Sequence, residues 1–324
     1  LHLSIRRQRQ MCIRDRDGIM SYQMKRGFFM SKVLLIVNPS SGGEKAKSYE
    51  DLAREKLAEC FDEVVVKHTE KGGDAAAFAK QAAEDHYDSV FVMGGDGTVN
   101  EGISGLAELD YRPTFGFFPL GTVNDLARAL GIPLDAEEAI QNLDINKVKP
   151  LDIGKINDQY FMNVVAIGTI PESINNVDSE DKTKWGKFAY FISGFKQLMD
   201  TSFYEFHLKI DGEERTIKSS TLLIGSTNSI GGFESILPEA TVNDGLLHLL
   251  YLKDKNLLDT LVSVPDLISG NGEESDNIEY LTFKEITVEL ADDKAELSVN
   301  VDGDEGDQLP VTIRVLPSHL NVYC

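Results

Sequence analysis

Short apolar runs alternate with stretches of helical composition from Val33 to about residue 130, and this alternation constrains the fold more than any other feature. Val33–Val37 is an aliphatic run that ends at a turn, and 63–67, 89–93 and 114–118 resemble it. Each run precedes a helix-like stretch, which is typical of parallel strands joined by right-handed crossovers. The sequence therefore predicts a three-layer α/β domain with a parallel sheet over residues 30–145. Its helices are predicted at 44–60, 73–83, 97–106 and 123–130.

The pattern changes after about residue 145. Strand-like segments with turn signals such as Asp211-Gly212 favour a mostly antiparallel β-sandwich over residues 146–310. A predicted helix with apolar residues from Phe188 to Met199 interrupts them, and its aromatic stripe fits a core better than a lipid pocket. The strand-like tail, 311–324, is a candidate for completing the first sheet. The other predicted strand segments are 146–169, 202–211, 215–226, 246–252, 278–290 and 295–301.

The chain is strongly acidic, with 32 Lys and Arg against 53 Asp and Glu and a net charge of −21. Nucleic-acid binding, and attachment to anionic lipid through overall charge, both need a basic surface, so both are disfavoured. No apolar run approaches the roughly 20 residues that span a bilayer. The three cysteines are far apart and indicate neither a disulfide framework nor a zinc site, which favours a cytoplasmic protein.

Residues 1–29 differ from the rest because they are basic and have no hydrophobic periodicity. They also lack the apolar segment of a secretory signal. Since Met30 opens directly onto the first strand, we expect 1–29 to be a non-native or disordered extension outside both domains. A basic arm that binds lipid headgroups is the alternative.

The strongest chemical signal is the string GGDGTVN at 94–100, which follows one predicted strand and opens a helix. Ligands of open α/β sheets bind at the carboxyl ends of strands. Glycines let backbone N–H groups approach an anion, and a helix N-terminus favours negative charge. Asp96 would repel a bare phosphate, so it fits better beside a metal ion or a ribose hydroxyl. A pair of glycines without the rest of this string and its position after a strand would be better interpreted as an ordinary turn.

Two further polar loops follow neighbouring strands at the same edge of the predicted sheet. They read NPSSGG at 38–43 and GTVND at 121–125, and Thr69 follows the second strand. Three such loops make a phosphate-binding cleft, although Ser, Asn and Gly are also common turn formers. The chain contains neither the Walker A string nor the GxGxxG fingerprint, which argues against a P-loop NTPase and a dinucleotide dehydrogenase.

The strings NPSSGG, GGDGTVNEG and FPLGTVNDLARALGIP, in this order and spacing, resemble the diacylglycerol kinase catalytic domain family. They resemble most closely the soluble bacterial lipid kinases related to diacylglycerol and sphingosine kinases. The resemblance continues through LDIG, FMNVVAIG, WGKFAY, PEATVNDGLL and NVDGDEGDQLP, and so covers about residues 32–324. NAD kinases share the GGDGT element, but the NPxSG and GTxND loops favour the lipid kinases.

The resemblance implies an ATP-binding α/β domain of NAD-kinase-like architecture, a β-sandwich for the lipid and a cleft between them. It also implies transfer of the γ-phosphoryl group of ATP, with Mg²⁺, to a lipid alcohol in a membrane, and favours diacylglycerol, which gives phosphatidic acid. Asp96 would organise the metal and the nucleotide. By position, the nucleotide would be held by Asn38, Pro39, Ser40, Ser41, Gly42, Thr69, Gly94, Gly95, Asp96, Gly97, Thr98, Val99, Asn100 and Thr122.

At the position of Asp302-Gly303-Asp304 in NVDGDEGDQLP, members of the family commonly have Asp-Gly-Glu, and the third residue of that motif is regarded as their general base. The resemblance therefore implies this role for Asp304. Aspartate is one methylene shorter than glutamate, so Asp302 and Glu305 stay open as alternatives. From the residues alone, a hairpin turn at 302–304 is an equally good interpretation. Clustered carboxylates can nevertheless bind Mg²⁺ or raise one another's pKa.

In PEATVNDGLL, the resemblance matches Asp244 to a residue that helps hold Mg²⁺ in related enzymes. The backbone carbonyls of Thr241 and Leu246 are the implied co-ligands.

Two other functions stay open: an NAD kinase, and a nucleotide- or lipid-binding regulator without turnover. A lipid kinase this acidic would touch membranes locally and transiently, through an apolar rim or through Lys184 and Lys187. A C₂ homodimer is the default oligomer.

Overall fold

A computed structural model describes residues 30–42, 46–168, 203–232, 234, 236–253, 278–292 and 297–324. The predicted extension 1–29, the predicted helix at 188–199, and Lys184 and Lys187 lie outside these residues. Within the described ranges, no helix is long and apolar enough to cross a membrane.

Four parallel strands form one half of a ten-stranded sheet, in the order β2-β1-β3-β4. Along β1, Val33 and Leu35 pack into the core on one face of the sheet, and Leu34 and Ile36 into the core on the other. Burial on both faces explains the continuous apolar run that predicted this strand. The four strands are β1 (Lys32–Val37), β2 (Glu63–His68), β3 (Ser89–Gly94) and β4 (Thr114–Pro119).

Helices cover both faces of these strands, which confirms the predicted three-layer α/β arrangement. The helices α1 (Ala46–Ala58) and α5 (Ala136–Gln141) lie on one face. The opposite face carries α2 (Asp74–Glu84), α3 (Asp96–Leu106) and α4 (Asp125–Leu130).

Most helix ends lie one or two residues from their predicted positions, and the structure contains one helix that was not predicted. The fourth helix begins at Asp125 rather than at 123, because Asn124 adopts a left-handed conformation (φ 55°) that helical residues do not take. The helix α5 was not predicted at all. It is short, and its start is marked by Asp135, whose side chain accepts a hydrogen bond from the backbone N–H group of Glu138 at 3.0 Å.

The other half of the ten-stranded sheet is antiparallel and is joined to the first half by the tail of the chain. The tail strand β16 (Val311–Tyr323) pairs with β4 in parallel and with β5 and β13 in antiparallel fashion. One sheet therefore runs through both halves of the molecule. Its remaining strands are β5 (Val148–Ile156), β6 (Gln159–Phe161), β8 (Tyr204–Ile210), β9 (Glu213–Ser219) and β13 (Glu285–Leu290).

A six-stranded antiparallel sheet packs against this second half, in the order β12-β11-β10-β7-β14-β15. Its apolar core combines residues of both sheets, for example Leu222 and Val299 with Phe206 and Ile313. This arrangement confirms the predicted β-sandwich. The strands are β7 (Val164–Gly168), β10 (Thr221–Gly225), β11 (Leu247–Leu252), β12 (Ile278–Phe283), β14 (Ser298–Val301) and β15 (Asp304–Gln308).

Three predicted strand segments are divided in the structure. The segment 146–169 contains β5, β6 and β7, 215–226 contains most of β9 and all of β10, and 278–290 contains β12 and β13. The chain passes from one sheet to the other between β6 and β7, between β9 and β10 and between β12 and β13, whereas β5 and β6 are paired in the same sheet. The connections are as short as one residue, so apolar periodicity continues across them and gives little sign of the break.

Candidate active site

The predicted nucleotide loops meet at the carboxyl edge of the parallel strands, where the backbone joins them directly. The N–H group of Asn38 donates to the carbonyl oxygen of Met93 at 3.0 Å. The N–H group of Leu120 donates to the carbonyl oxygen of Gly94 at 2.8 Å, and that of Thr69 to Val37 at 2.9 Å. The loops after β1, β2, β3 and β4 therefore form one continuous surface.

Side-chain contacts of Asn38 tie the first loop to the second. Its amide nitrogen Nδ2 donates to the hydroxyl oxygen of Thr98 at 2.9 Å. Its Oδ1 accepts the N–H group of Ser40 at 3.1 Å, which shapes the turn that contains Pro39, Ser41 and Gly42. Asn38 thus connects the first loop to the second through its side chain. Neither its residue type nor its position after a strand predicted this role.

Two glycines allow the second and third loops to touch through their backbones. A Cβ atom on Gly95 would lie 3.3 Å from the Cα atom of Gly121. A Cβ atom on Gly121 would lie 2.5 Å from Asn124 Oδ1 and 3.0 Å from Asp96 Oδ2. Larger residues would separate the loops, so close approach explains glycine at both positions. Thr122, at the tip of the third loop, is exposed.

The first turn of α3 lacks a side-chain cap. Its N-cap residue is Gly95, and the first backbone hydrogen bond within the helix runs from Val99 N–H to Gly95 O at 3.0 Å. The preceding N–H groups, including those of Gly97 and Thr98, have no partner in the helix ladder. A Cβ atom on Gly97 would meet nothing within 4 Å. Open space therefore adjoins a helix N-terminus, an arrangement that suits an anion.

Asp96 lies in this first turn, but its carboxylate points to the next loop. Oδ2 accepts the N–H group of Asn124 at 2.9 Å, and Oδ1 accepts that of Asp125 at 3.0 Å. Asp96 therefore caps α4 from a different loop. Burial raises the pKa of the Asp96 carboxyl group, and the nearby charge of Asp125 adds to the effect. Capping uses one lone pair on each carboxylate oxygen of Asp96. The expected role of Asp96 with metal and nucleotide stays a prediction.

Asp125, which the sequence analysis quoted but did not assign, joins the third loop to the second domain. Its Oδ1 accepts the hydroxyl of Ser229 at 2.6 Å and the N–H group of Gly232 at 2.8 Å. Its Oδ2 accepts the N–H group of Gly231 at 2.8 Å. The only local signal was an acid at the start of a helix, and the partners lie more than 100 residues away.

The acidic hairpin Val301–Asp304 belongs to the second domain. Asp304 is exposed at the start of β15. Asp302 is half-buried, and its carboxyl group accepts N–H groups of Met162, Asn163 and Val164. Burial raises the pKa of Asp302 to about 6, and the charge of Asp96 contributes, so these two acids are electrostatic neighbours. The base role of Asp304 remains a prediction.

The residues predicted to hold a metal do lie together. Asp244 Oδ2 accepts the N–H group of Thr241 at 2.9 Å and contacts Nε2 of the buried His248 at 3.0 Å, while Oδ1 accepts the N–H group of Leu246 at 2.9 Å. Thr241 and Leu246 thus contact the carboxylate through N–H groups rather than carbonyls. Among the described residues, no three His, Cys, Asp or Glu side chains form a metal-binding group.

Asp152, a second acid missed in the sequence analysis, lies beside this turn. It accepts the N–H groups of Gly245 and Ser318, each at 2.6 Å. Burial raises the pKa of Asp152, and the charge of Asp244 adds to the shift. With one carboxylate lone pair free on Asp244 Oδ1, the turn suits a cation that keeps most of its water, as Mg²⁺ does.

Comparisons with known proteins cover nearly the whole described chain. Residues 32–156 match the diacylglycerol kinase catalytic domain, and residues 164–324 match the YegS C-terminal NAD kinase beta sandwich-like domain. A Streptococcus pneumoniae protein named "Putative lipid kinase" is 40% identical, with 91% of this chain and 98% of that protein aligned. The Bacillus subtilis diacylglycerol kinase is 35% identical, with 90% and 96% aligned. A crystal structure of a Bacillus anthracis diacylglycerol kinase superposes with a TM-score of 0.76 at 30% identity, covering 92% of this chain and 99% of that one.

Proposed function

The chain belongs to the diacylglycerol kinase family of lipid kinases, and from that premise we propose that it phosphorylates diacylglycerol. The phosphoryl donor in this proposal is ATP, the metal ion is Mg²⁺ and the product is phosphatidic acid. The relatives named as diacylglycerol kinases support the choice of lipid, since the chain aligns with them over almost their full length.

The observation that carries the proposal is the open first turn of α3 beside two other polar loops. Phosphoryl transfer consists mainly of positioning phosphates and neutralising charge, so a nucleotide site needs N–H donors and little competing negative charge. The N–H groups of Gly97 and Thr98 are outside the helix ladder, and Gly97 adjoins open space. The carboxylate of Asp96 is directed at α4, which keeps its charge from occupying the same space.

The proposal assigns nucleotide binding, proton transfer and metal binding to different residues of this chain. The loops at 38–42 and 94–100, with Thr69 and Thr122, hold the nucleotide phosphates and ribose. Asp304 accepts the proton of the lipid hydroxyl, since its carboxylate is exposed and its position matches the acid of the family motif. Bound Mg²⁺ would neutralise phosphate charge, and Asp244 with the turn 241–246 would hold it.

Access to the lipid is proposed to be local and transient. The net charge of −21 opposes attachment to anionic membranes through overall charge. Sedimentation with neutral and anionic phospholipid vesicles tests this, and strong binding to anionic vesicles without any lipid substrate would contradict it.

A lipid panel with radioactive ATP tests the proposed function. Purified protein is incubated with diacylglycerol, ceramide, sphingosine or undecaprenol in mixed micelles, and with NAD in a separate reaction. We expect labelled phosphatidic acid, dependent on Mg²⁺. Labelling of another lipid would change the substrate, labelling of NAD would change the enzyme class, and nucleotide-dependent thermal stabilisation without product would point to a regulator.

A further inference from the structure

The turn that carries Asp304 is a two-residue hairpin with a strict backbone geometry. Val301 pairs with Asp304 across it, and its two central residues, Asp302 and Gly303, have φ values of 49° and 100°. Positive φ at both central positions defines the type I′ turn, for which Asp-Gly is a preferred pair. The turn interpretation of 302–304 is therefore correct, and the position of Asp304 depends on this turn.

Asp302 anchors the turn to another part of the second domain. Its Oδ1 accepts the N–H groups of Asn163 and Val164 at 3.0 and 2.8 Å, and its Oδ2 accepts that of Met162 at 2.8 Å. Its own N–H group donates to the carbonyl oxygen of Val164 at 2.9 Å. Four hydrogen bonds thus join one turn residue to residues 162–164, which form the connection between β6 and β7 and the first residue of β7.

The anchoring segment is itself held in place. The hydroxyl of the buried Ser226 donates to the carbonyl oxygen of Met162 at 2.6 Å, and its N–H group donates to that of Asn163 at 3.0 Å. On the other side of the turn, Asn300 Oδ1 accepts the N–H group of Gly303 at 3.0 Å. The turn is therefore fixed against a framework rather than against a free loop.

We propose that Asp302 is a positioning residue for phosphoryl transfer, because its carboxylate fixes the hairpin that presents Asp304. This inference rests on the proposed function, in which Asp304 accepts the hydroxyl proton. Aspartate reaches one methylene less far than the glutamate common in the family, so it has less freedom to correct a displaced backbone. A displacement of about 1 Å at a reacting group can lower a rate roughly 100-fold.

The charge state of Asp302 supports this role. With a pKa raised to about 6 by burial and by Asp96, the carboxyl group is ionised at pH 7.5 and accepts all three N–H groups. Protonation at lower pH converts one oxygen to a hydroxyl that faces an N–H donor. The anchor therefore weakens as the pH falls below about 6, and kcat is expected to fall with it.

The test compares Asp302→Asn with Asp307→Asn, an exposed acid on β15, the strand that follows the turn, which accepts from Asn157 Nδ2 at 2.8 Å. In diacylglycerol phosphorylation, we expect Asp302→Asn to lower kcat roughly 100-fold with the KM for ATP unchanged, and to lose the decline of kcat near pH 6. Asp307→Asn should retain wild-type kcat. Adding Asp304→Glu to Asp302→Asn should recover part of kcat, because the longer side chain compensates for a displaced turn.

Each result bears on one proposal. Wild-type kcat and an unchanged pH profile in Asp302→Asn would overturn the positioning role, as would a loss of activity that only follows the folded fraction and is not relieved by Asp304→Glu. If Asp302→Asn does not fold, the second variant is Asp302→Glu, which keeps the charge and displaces it. Its kcat must then fall by a larger factor than the factor by which its KM changes. Full activity of Asp304→Asn would overturn the base assignment separately, and failure of the wild type to label any lipid would overturn the function.

Discussion

The Asp96 carboxylate accepts the backbone N–H group of Asp125 at 3.0 Å, and the Asp125 carboxylate in turn accepts donors from the second domain. Two acids in series therefore connect the glycine loop after β3, the helix α4 and the 229–232 segment. The geometry explains why an acid follows two glycines in a loop suited to an anion. Its charge stabilises the N-terminus of the adjacent helix and leaves the N-terminus of its own helix open.

We predict that Asp96→Ala lowers both stability and activity, whereas a matched cap removal lowers stability alone. Both variants remove a carboxylate that accepts a helix N-terminal N–H group, which costs about 1 kcal/mol in the free energy of unfolding. The control is Asp135→Ala at the start of α5, whose cap contact is 3.0 Å. Urea denaturation measures the first effect and lipid labelling the second. Equal activity in the two variants would contradict a specific role for Asp96.

A second prediction concerns the open space beside Gly97. Gly97→Ala meets nothing within 4 Å and adds helix propensity of up to about 1 kcal/mol, so stability should be unchanged or slightly higher. If phosphates occupy this space, the new methyl group crowds them, and overpacking of about 1–3 kcal/mol raises the KM for ATP roughly 5- to 150-fold.

The matched control for this variant is Gly72→Ala, whose Cβ atom would make an ordinary contact of 3.7 Å with Glu101. Its KM for ATP should stay at the wild-type value. A wild-type KM in Gly97→Ala would show that nucleotide phosphates do not approach the first turn of α3.

The connection between the domains gives a third prediction. Ser229 is fully buried, and its hydroxyl donates to the Asp125 carboxylate, so Ser229→Ala removes a hydrogen bond to a charged group. Such bonds contribute about 1.5–3 kcal/mol. The control, Ser226→Ala, removes a buried hydroxyl whose hydrogen bond is to the neutral carbonyl of Met162, with an expected loss of about 0.5–1.5 kcal/mol. Chemical denaturation measures both, and a smaller loss in Ser229→Ala would argue against Asp125 as a connecting residue.

Local sequence predicted the four parallel strands and the loops that follow them, and offered the Asp-Gly hairpin as one of two interpretations, because apolar burial and turn chemistry are encoded within a few residues. It did not predict which acid pairs with which backbone. Asp96 caps a helix that begins 29 residues later, and Asp125 contacts Ser229, 104 residues away. Asp302 binds residues 138–140 positions earlier. These contacts depend on how two sheets are placed together, and no periodicity or local motif specifies that placement.

The last prediction is a pH dependence of stability that originates at His319. Its Nε2 accepts the N–H group of Glu108 at 2.8 Å and is therefore unprotonated in the folded state. Burial lowers the pKa of His319, and the positive charges of Arg112 and Lys155 lower it further, against an opposing effect of Glu108. The unfolded chain takes up a proton near pH 6.5, whereas the folded protein resists it. Stability from this group is therefore complete above pH 6.5 and falls as the pH decreases through the lowered pKa.

His319→Gln retains an acceptor in place of Nε2 but does not titrate, so its melting temperature should depend less on pH between 7 and 5 than that of the wild type. Differential scanning fluorimetry across this range makes the comparison. Because Glu108 also accepts Lys155, Tyr160 and Arg314, protonation of wild-type His319, which removes the acceptor of the Glu108 N–H group, should loosen the junction of α3 with β5, β6 and β16. Parallel slopes for His319→Gln and the wild type would exclude His319 as the source of acid sensitivity.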